Sequence, residues 1–233
     1  MTIEPMNAII LCGGLSTRLG EITKTIPKVL LKIKGRTVLE WQTEKLRKVG
    51  ITEVVLAAGH LSDTLFENVG IHLNGITFTY AIEQVKLGTG GAIKHALEYV
   101  SNSDDPTIIL NGDVLTHVSV AEMINHLKPD GDGLILGTKV DDAAPYGTLV
   151  YDSKFHLKEF KEKEGKHQSG FINGGFYIFN PLIKKYFPNK DSFSIETEVF
   201  PLMKNLYVFE SAEPWIDIGV PERLEWAREN FPE

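Results

Sequence analysis

The sequence lacks the features that mark secreted, membrane-spanning and general nucleic-acid-binding proteins. Its one cysteine, Cys12, cannot form an internal disulfide and has no companion for a zinc site. No run of apolar residues approaches the roughly eighteen that a membrane helix needs, and the net charge of −7 disfavours nucleic acid as a partner. Residues 1–5 carry Glu4 where a secretory leader would be basic and then apolar. We therefore expect a cytoplasmic protein that binds neither nucleic acid nor membrane.

Internal repeats, low-complexity tracts and linkers rich in proline and serine are also absent from the sequence. With 233 residues, of which 42% are hydrophobic, the chain has enough apolar material for one sizeable core. Two domains would leave each half near the lower end of the usual size range. We expect residues 1–233 to form a single domain.

Short apolar runs alternate with helical patterns through the first half of the chain. A buried strand is predicted at residues 7–11, where Asn-Ala-Ile-Ile-Leu runs toward a Gly-Gly pair. Apolar side chains at helical spacing follow from Val38 to Val49, and residues 53–59 form a second apolar run that ends in glycine. Strand, helix and strand in this order predict a βαβ unit with parallel strands.

The rest of the chain continues this pattern and adds more short strands. Further strands are predicted at residues 75–82, 107–110, 133–140, 147–151, 171–179 and 207–210. Further helices are predicted at about 90–100, at 120–127 and at 221–230. The alternation predicts a layered α/β fold with a mixed sheet.

The loop after the first predicted strand has the composition of a phosphate-binding site. Its glycines let backbone amides approach a triphosphate, and Arg18 can grip phosphate oxygens with two parallel donors. Lys28 follows Pro27 and supplies a second cation on a restrained backbone. Residues 1–36 hold six basic residues against two acidic ones, which suits a pocket for a small polyanion as well as a solvated surface. The loop matches neither the Walker phosphate loop nor the dinucleotide fingerprint.

Over nearly the whole chain, the motifs resemble those of the sugar-1-phosphate nucleotidyltransferases. Leu-Cys-Gly-Gly-Leu-Ser-Thr-Arg-Leu at residues 11–19, followed by Pro27-Lys28, is similar to the signature of that family. Six more segments occur in family order, at residues 82–92, 110–113, 146–147, 160–163, 172–175 and 215–219. The pattern is most similar to the D-glycero-D-manno-heptose 1-phosphate guanylyltransferases and next to the mannose-1-phosphate guanylyltransferases.

This resemblance implies a Rossmann-like three-layer α/β sandwich with a mixed, mainly parallel central sheet. It also implies a reaction that joins a nucleoside triphosphate to a sugar 1-phosphate and releases pyrophosphate. The implied nucleotide-binding residues are Leu11, Gly13, Gly14, Ser16, Thr17, Arg18, Lys28, Glu83, Gly88 and Thr89. The implied sugar-phosphate contacts are Gly147, Glu162, Lys163 and Asn173. The implied catalytic residues are Arg18, Lys28, Asp113 and Lys163, and the implied Mg²⁺ ligands are Asp113 and Asp217.

Several of these positions also suit ordinary structural roles. An aspartate at position 113 or 217 is typical of a helix cap or a turn, and residues 161–164 also suit an exposed, charged strand edge. Three residues depart from the family pattern: Ser16 replaces a glycine, and Glu21 and Val29 stand where proline is frequent. We expect the serine to change the stiffness of the loop rather than to abolish activity.

The base is predicted from Glu83, five residues before Gly88. A carboxylate only accepts hydrogen bonds, so it suits the adjacent N1–H and amino donors of guanine. Uracil and thymine would present carbonyl oxygens to it, so Glu83 favours GTP. In the alternative, Glu83 faces solvent and the neighbouring Gln84 contacts the base.

The sequence is also compatible with other functions. One is a catalytically inactive, nucleotide-sugar-binding regulatory subunit, although the arginine, lysine and two aspartates of the family are all present. Others are relatives that use UTP, dTTP or CTP, including a choline-phosphate cytidylyltransferase, which would need a cage for the quaternary ammonium. Residues 170–175 and 193–196 are more similar to the heptose enzymes than to the mannose enzymes, but both sugars share the manno configuration. A homo-oligomer is compatible with the sequence.

Overall fold

The computed structural model describes residues 5–14, 17–161, 165 and 167–232. The strands are β1 (Asn7–Leu11), β2 (Lys32–Ile33), β3 (Arg36–Thr37), β4 (Glu53–Ala58), β5 (His72–Leu73), β6 (Ile76–Ile82), β7 (Thr107–Asn111), β8 (Val114–Thr116), β9 (Gly133–Val140), β10 (Thr148–Tyr151), β11 (Leu157–Lys161), β12 (Gly170–Phe179), β13 (Leu206–Ser211) and β14 (Trp215–Asp217). The α-helices are α1 (Val38–Lys48), α2 (Ser62–Val69), α3 (Gly88–Ala96), α4 (Val120–His126), α5 (Ile195–Glu198) and α6 (Pro221–Asn230). Short 3₁₀ helices lie at Thr17–Lys24, Lys28–Leu30, Pro181–Tyr186 and Phe200–Leu202.

In the described part of the chain, ten strands form one mixed sheet. Its order is β11-β10-β12-β7-β1-β4-β6-β5, with β9 paired to β12 and β13 paired to β9. The central strands β7, β1, β4 and β6 are parallel to one another, whereas β12 is antiparallel to both β7 and β9. This confirms the predicted α/β fold, with a mixed sheet whose parallel strands form its centre and whose faces carry helices.

Both faces of the sheet are covered because alternate residues of each central strand point to opposite sides. In β1, Ile10 packs on the side that holds α1, α2 and α4, while Ile9 packs on the side that holds α3 and α5. Both isoleucines are fully buried. Helix α1 begins with a capping box in which Thr37 and Glu40 bond each other's backbone amides. The result is a three-layer sandwich with an apolar core on each face of the sheet.

The carboxyl ends of the parallel strands meet at one edge of the sheet, where ligands bind in open α/β folds. Leu11, the last residue of β1, pairs with Ala57 of β4 and with Asn111 of β7. A second, two-stranded sheet of β8 and β14 lies next to this edge, with Asp217 opposite Val114. The loops that follow β1, β7 and β14 are thereby brought together.

The structure differs from the sequence-based boundaries mainly around α3. The helix was expected from about residue 90 to residue 100, but it spans Gly88–Ala96. Gly88 has a φ of 71°, which favours glycine, and allows the chain to turn sharply into the helix. Residues 98 and 99 donate to carbonyls three positions back, at His95 and Ala96, so the end tightens into turns. Helix α2 was not predicted.

No helix in the described ranges is both long and apolar enough to cross a membrane.

Candidate active site

The loop after β1 leaves the sheet across the end of β4. The amides of Cys12 and Gly13 both donate to the carbonyl of Ala57, each at 2.8 Å. Gly14 then has a φ of 144°, a conformation that favours glycine. The predicted phosphate loop therefore starts at the carboxyl edge of the sheet, as expected. Ser16 lies outside the described residues.

Two cavities lie along this edge. The first, which we call the loop cavity, has a volume of about 170 Å³. It is lined by Leu11, Cys12, Gly13, Gly14, Lys28, Val29, Thr89, Asn111, Gly112 and Asp113. The second, which we call the tyrosine cavity, has a volume of about 290 Å³. It is lined by Arg18, Asn111, Asp113, Val114, Pro145, Tyr146, Gly147, Phe160, Asn173, Gly175, Glu196, Trp215 and Asp217. Asp113 lines both cavities, so it stands at their junction.

Lys28 and Asp113 form an ion pair at this junction. Lys28 Nζ lies 2.7 Å from Asp113 Oδ2, and the side chains are only 16% and 24% exposed. Pro27 holds the backbone before Lys28 at a φ of −55°, ahead of the 3₁₀ turn that carries the lysine. The lysine is therefore held against the carboxylate and is not a solvated surface cation.

Asp217 reaches the same junction through the pairing of β14 with β8. The amide of Ile218 donates to the carbonyl of Asp113 at 2.9 Å. The Asp217 carboxylate accepts a bond from the Gly219 amide at 2.5 Å and pairs with Arg223 Nη2 at 2.9 Å. Burial raises the pKa of the Asp217 carboxyl, and the negative charge of Asp113 adds to this effect, while Arg223 opposes it.

Arg18 lies beside the two carboxylates. A β-carbon placed on Gly219 would lie 2.6 Å from Asp217 Oδ1, 3.3 Å from Arg18 Nη2 and 3.5 Å from Asp113 Oδ2. These three groups therefore surround one small volume at Gly219. The structure thus brings together four of the predicted site residues, which are Arg18, Lys28, Asp113 and Asp217.

Neither aspartate serves as a helix cap. The N-cap of α6 is Val220, without a side-chain cap bond, and the N-cap of α4 is Ser119. The Asp113 carboxylate faces Lys28 across the junction. The helix-cap alternative is therefore wrong for both residues, whereas the turn alternative holds for Asp217, whose Oδ1 accepts from the Gly219 amide two positions later.

The two carboxylates at the junction suit a hard divalent cation that would also bind the substrate phosphates. In the described part of the chain, no cluster of three or more His, Cys, Asp or Glu side chains is arranged to hold a metal on its own. Asp113 and Asp217 supply two carboxylates next to open cavities. Mg²⁺ is commonly bound in this way, by one or two carboxylates together with substrate phosphates and waters.

Glu83 lies at the end of β6, against the loop that leaves β1. A β-carbon on Gly13 or Gly59 would lie 2.9 or 2.7 Å from Glu83 Oε1. Glu83 Oε2 accepts a bond from the amide of Leu87 at 3.2 Å. Glu83 is half-buried, whereas Gln84 is exposed. The side chain that packs against the predicted phosphate loop is therefore Glu83, and the placement of Gln84 does not favour the alternative.

Thr89 connects the start of α3 to α5. Its hydroxyl donates to Glu196 Oε2 at 2.6 Å and accepts from the amide of Ile195 at 3.1 Å. A β-carbon on Gly88 would lie 2.6 Å from the carbonyl oxygen of Phe193. Gly88 and Thr89, both predicted to bind the nucleotide, therefore pack against residues 193–196. Thr89 also lines the loop cavity.

Gly147 and Asn173 lie side by side in the tyrosine cavity. The amide of Asn173 donates to the carbonyl of Gly147 at 3.1 Å. The Asn173 side chain donates to the Tyr177 hydroxyl at 2.8 Å and accepts from the Gly175 amide at 3.0 Å. The side chain is thereby fixed at the cavity wall. Glu162 and Lys163, predicted for the same subsite, lie outside the described residues.

Comparison with known proteins identifies the family of the chain. The family model described as "Nucleotidyl transferase" matches residues 7–232. The chain belongs to this family. Mannose-1-phosphate guanyltransferase of Debaryomyces hansenii is 34% identical over 225 residues, a match that covers 93% of this chain and 62% of that protein. Mannose-1-phosphate guanyltransferase beta-A of Xenopus laevis is 35% identical over 224 residues, with the same coverage of each chain.

The solved structure of HddC from Yersinia pseudotuberculosis complexed with GMP-PN is similar over nearly its whole length. It has a TM-score of 0.83 and 34% identity, covering 97% of this chain and 99% of that chain. In contrast, the chain spans about 62% of the length of the curated guanyltransferases named above.

Sequence reasoning missed two residues of this candidate site. Glu196 lines the tyrosine cavity together with Asp217, and Asn111 lines both cavities. Asn111 directly precedes Gly112-Asp113, so its place at the strand end could have been inferred. Glu196 was noticed only as part of a segment similar to the heptose enzymes. No local pattern indicates that it lies opposite Thr89, 107 positions earlier.

Proposed function

We propose that this chain transfers a guanylyl group from GTP to the 1-phosphate of a manno-configured sugar, mannose or a heptose, and releases pyrophosphate. The proposal is carried by the meeting of the loop cavity and the tyrosine cavity at Asp113. A nucleotidyl transferase must hold two anionic substrates side by side. One cavity is lined by a glycine loop and a lysine and the other by fixed polar groups, so each suits one substrate.

The loop cavity would take the triphosphate, against Gly13 and Lys28. The tyrosine cavity would take the sugar 1-phosphate, beside Asn173 and Glu196. Both substrates would then border Asp113, where the charges of Lys28 and Arg18 are already gathered. Glu162 and Lys163 are retained in the sugar-phosphate subsite on the family resemblance alone.

The reaction needs no covalent intermediate on the protein. An oxygen of the sugar phosphate attacks the α-phosphorus of GTP, and the bond from that phosphorus to the oxygen bridging to the β-phosphate breaks. Pyrophosphate leaves with that oxygen. The protein must hold the two anions in line, within about 3 to 3.5 Å, and neutralise them. Arg18 and Lys28 supply fixed positive charge for this purpose.

We propose Asp113 and Asp217 as the residues that hold Mg²⁺. When bound, the ion would neutralise charge on the reacting phosphates. The two aspartates would orient it between the cavities, while the Gly219 amide and Arg223 hold Asp217 in place. Because the reaction consumes GTP, the proposal includes a cytoplasmic location.

The choice of GTP rests on Glu83 and on the relatives. The Glu83 carboxylate packs against the loop at Gly13, and its Oε1 has no hydrogen-bond donor within the described residues. It is therefore available to accept from guanine donors. The relatives from Debaryomyces hansenii and Xenopus laevis are named as guanyltransferases, and HddC was crystallised with GMP-PN.

A pyrophosphate-release assay tests the proposal. Four nucleoside triphosphates are crossed with mannose, heptose and glucose 1-phosphates in the presence of Mg²⁺. We expect release with GTP and a manno-configured sugar phosphate, and much slower release at the same Mg²⁺ concentration in Asp113→Asn, which controls for contaminating enzymes. A preference for UTP or dTTP would overturn the guanylyl assignment. Absence of release with every pair, from folded protein, would favour the inactive regulatory subunit.

A further inference from the structure

Gln42 lies on α1, beneath the turn that carries Asp113. It is 3% exposed and lines neither the loop cavity nor the tyrosine cavity. Its side-chain nitrogen donates to the carbonyl of Asn111 at 2.8 Å and to the carbonyl of Val114 at 2.9 Å. One side chain therefore bonds the backbone on both sides of Asp113.

The orientation of this amide follows from its partners. A backbone carbonyl only accepts hydrogen bonds, so the group that faces both carbonyls must be the NH₂ end of Gln42. The oxygen then points elsewhere. Gln42 Oε1 is buried and has no hydrogen-bond partner among the described residues.

A buried, unpartnered oxygen is unfavourable, and simple packing does not need it. A methionine or leucine would fill the same helix position with no polar atom to satisfy. An amide is favourable at this position if its two donated hydrogen bonds stabilise the protein by more than the unpaired oxygen destabilises it. Those bonds are made to the turn that carries Asp113 and to nothing else in the described residues.

The other tethers of the turn come from the two neighbouring sheets. The amide of Gly112 donates to the carbonyl of Leu11, and the carbonyl of Asp113 accepts from Ile218. Gln42 adds the tether from the helix layer. The helix itself is anchored by its capping box and by Trp41, whose indole N–H donates to the carbonyl of Ile33 at 3.2 Å.

We propose that Gln42 is a positioning residue, which holds the Asn-Gly-Asp turn so that the Asp113 carboxylate stays aligned with Asp217. It acts through the backbone of the turn and touches no substrate. The expected effect of Gln42 on Mg²⁺ dependence and catalysis rests on the proposed function. The expected effect on the opening of the turn does not.

The test compares Gln42→Met, which keeps the length and removes both donors, with Thr43→Val. Thr43 is the matched control because it is 1% exposed on the same helix and its hydroxyl donates to the helix carbonyl of Leu39 at 2.7 Å. Amide hydrogen exchange is followed by mass spectrometry in the metal-free, substrate-free protein. In Gln42→Met, peptides covering residues 110–115 and 216–219 should exchange about tenfold faster, because the turn opens locally. Thr43→Val should leave them unchanged.

The second measurement is the Mg²⁺ concentration that gives half-maximal pyrophosphate release. Gln42→Met should raise it severalfold and lower kcat by about tenfold, with little change in the KM for GTP, the pattern of a misplaced transition-state contact. Gln42→Glu is the second variant, should the methionine variant not fold. Its carboxyl group can donate to at most one of the two carbonyls, and only when protonated, so changes in the same direction are expected.

Two outcomes separate the inference from the proposed function. Wild-type exchange at residues 110–115 in a folded Gln42 variant would overturn the inference, even if the melting temperature fell. Faster exchange there, in a protein that releases no pyrophosphate with any substrate pair, would support the tether and contradict the proposed function instead.

Discussion

Lys28 and Asp113 are 85 positions apart, yet their side chains meet at 2.7 Å at the junction of the two cavities. The pair joins the residue predicted to neutralise the triphosphate to a residue predicted to hold Mg²⁺. Each of these partly buried charges is balanced by the other in the free protein. The cation and the carboxylate are thus in place before substrate binds.

Replacing Lys28 with alanine should lower kcat/KM by about a hundredfold or more, the scale of losing one transition-state charge contact. The measurement is steady-state pyrophosphate release with GTP and the preferred sugar phosphate. Lys24→Ala is the matched control, because Lys24 is 67% exposed and, among the described residues, pairs only with the surface residue Glu21. Near-normal turnover in a folded Lys28→Ala protein would remove the lysine from the site.

Replacing Asp113 with asparagine should raise the Mg²⁺ concentration needed for half-maximal rate by about tenfold, since a neutral amide is a weaker ligand for a hard cation. The apo protein should melt at nearly the wild-type temperature. Asp132→Asn provides the contrast. Asp132 is 3% exposed and accepts bonds from Asn205 and Tyr186, so its loss should lower the melting temperature and leave the Mg²⁺ requirement unchanged. The opposite pattern would make Asp113 a structural aspartate.

The sequence predicted those parts of the site that follow directly from strand ends. The glycine loop follows β1, and Asp113 follows β7, so the parallel pairing of β1 with β7 places them at one edge. Lys28 was predicted from the basic composition of residues 1–36 and from the family resemblance. The structure shows that its partner is Asp113.

The parts that could not be predicted depend on contacts between distant, short segments. Strands β8 and β14 have three residues each, too few for a clear period of alternation, yet their pairing brings Asp217 to Asp113. The bonds from Gln42 to the Asp113 turn and from Thr89 to Glu196 likewise join segments about 70 and 107 positions apart. Only the packed fold determines such contacts.

Changing Glu83 to glutamine should reduce the preference for GTP over UTP by about 1 to 3 kcal/mol, because a charge-assisted acceptor is lost. In the structure, this variant removes the charge of the side chain but can keep its hydrogen bond to the loop. An amide oxygen can still accept the bond from the Leu87 amide, so the loop keeps its shape. The ratio of kcat/KM values for the two nucleotides is the measurement, since it cancels any general loss of activity. Gln84→Ala, at an exposed neighbour, should leave the ratio unchanged. An unchanged ratio in Glu83→Gln would exclude Glu83 from the base site.

Lys45 gives a prediction about stability that does not depend on the proposed reaction. It lies on α1, and its Nζ donates to the carbonyl of Val118 at 2.9 Å. Burial lowers the pKa of Lys45 from 10.5 to about 8, with a further contribution from the charge of Lys48. The native state therefore holds this proton less tightly than the unfolded chain does.

The sign of the pH effect follows from that difference. Below about pH 8 both states carry the charge, and the folded protein bears the full cost of keeping a charged amine partly buried. Between about pH 8 and 10.5 the native state loses the proton first, so the free energy of unfolding contributed by Lys45 rises with pH.

Lys45→Met removes the cost of burying the charged amine, and should stabilise the protein by about 1 to 2 kcal/mol at pH 7, after allowing for the lost bond to Val118. That advantage should shrink steadily from pH 8 to pH 10 in denaturant titrations. Lys34→Met is the control for the loss of a lysine bond to a backbone carbonyl, because Lys34 donates to the carbonyl of Glu229 from an exposed position and has no burial cost to remove. A stability difference between wild type and Lys45→Met that does not vary with pH would show that folding leaves the proton affinity of Lys45 unchanged.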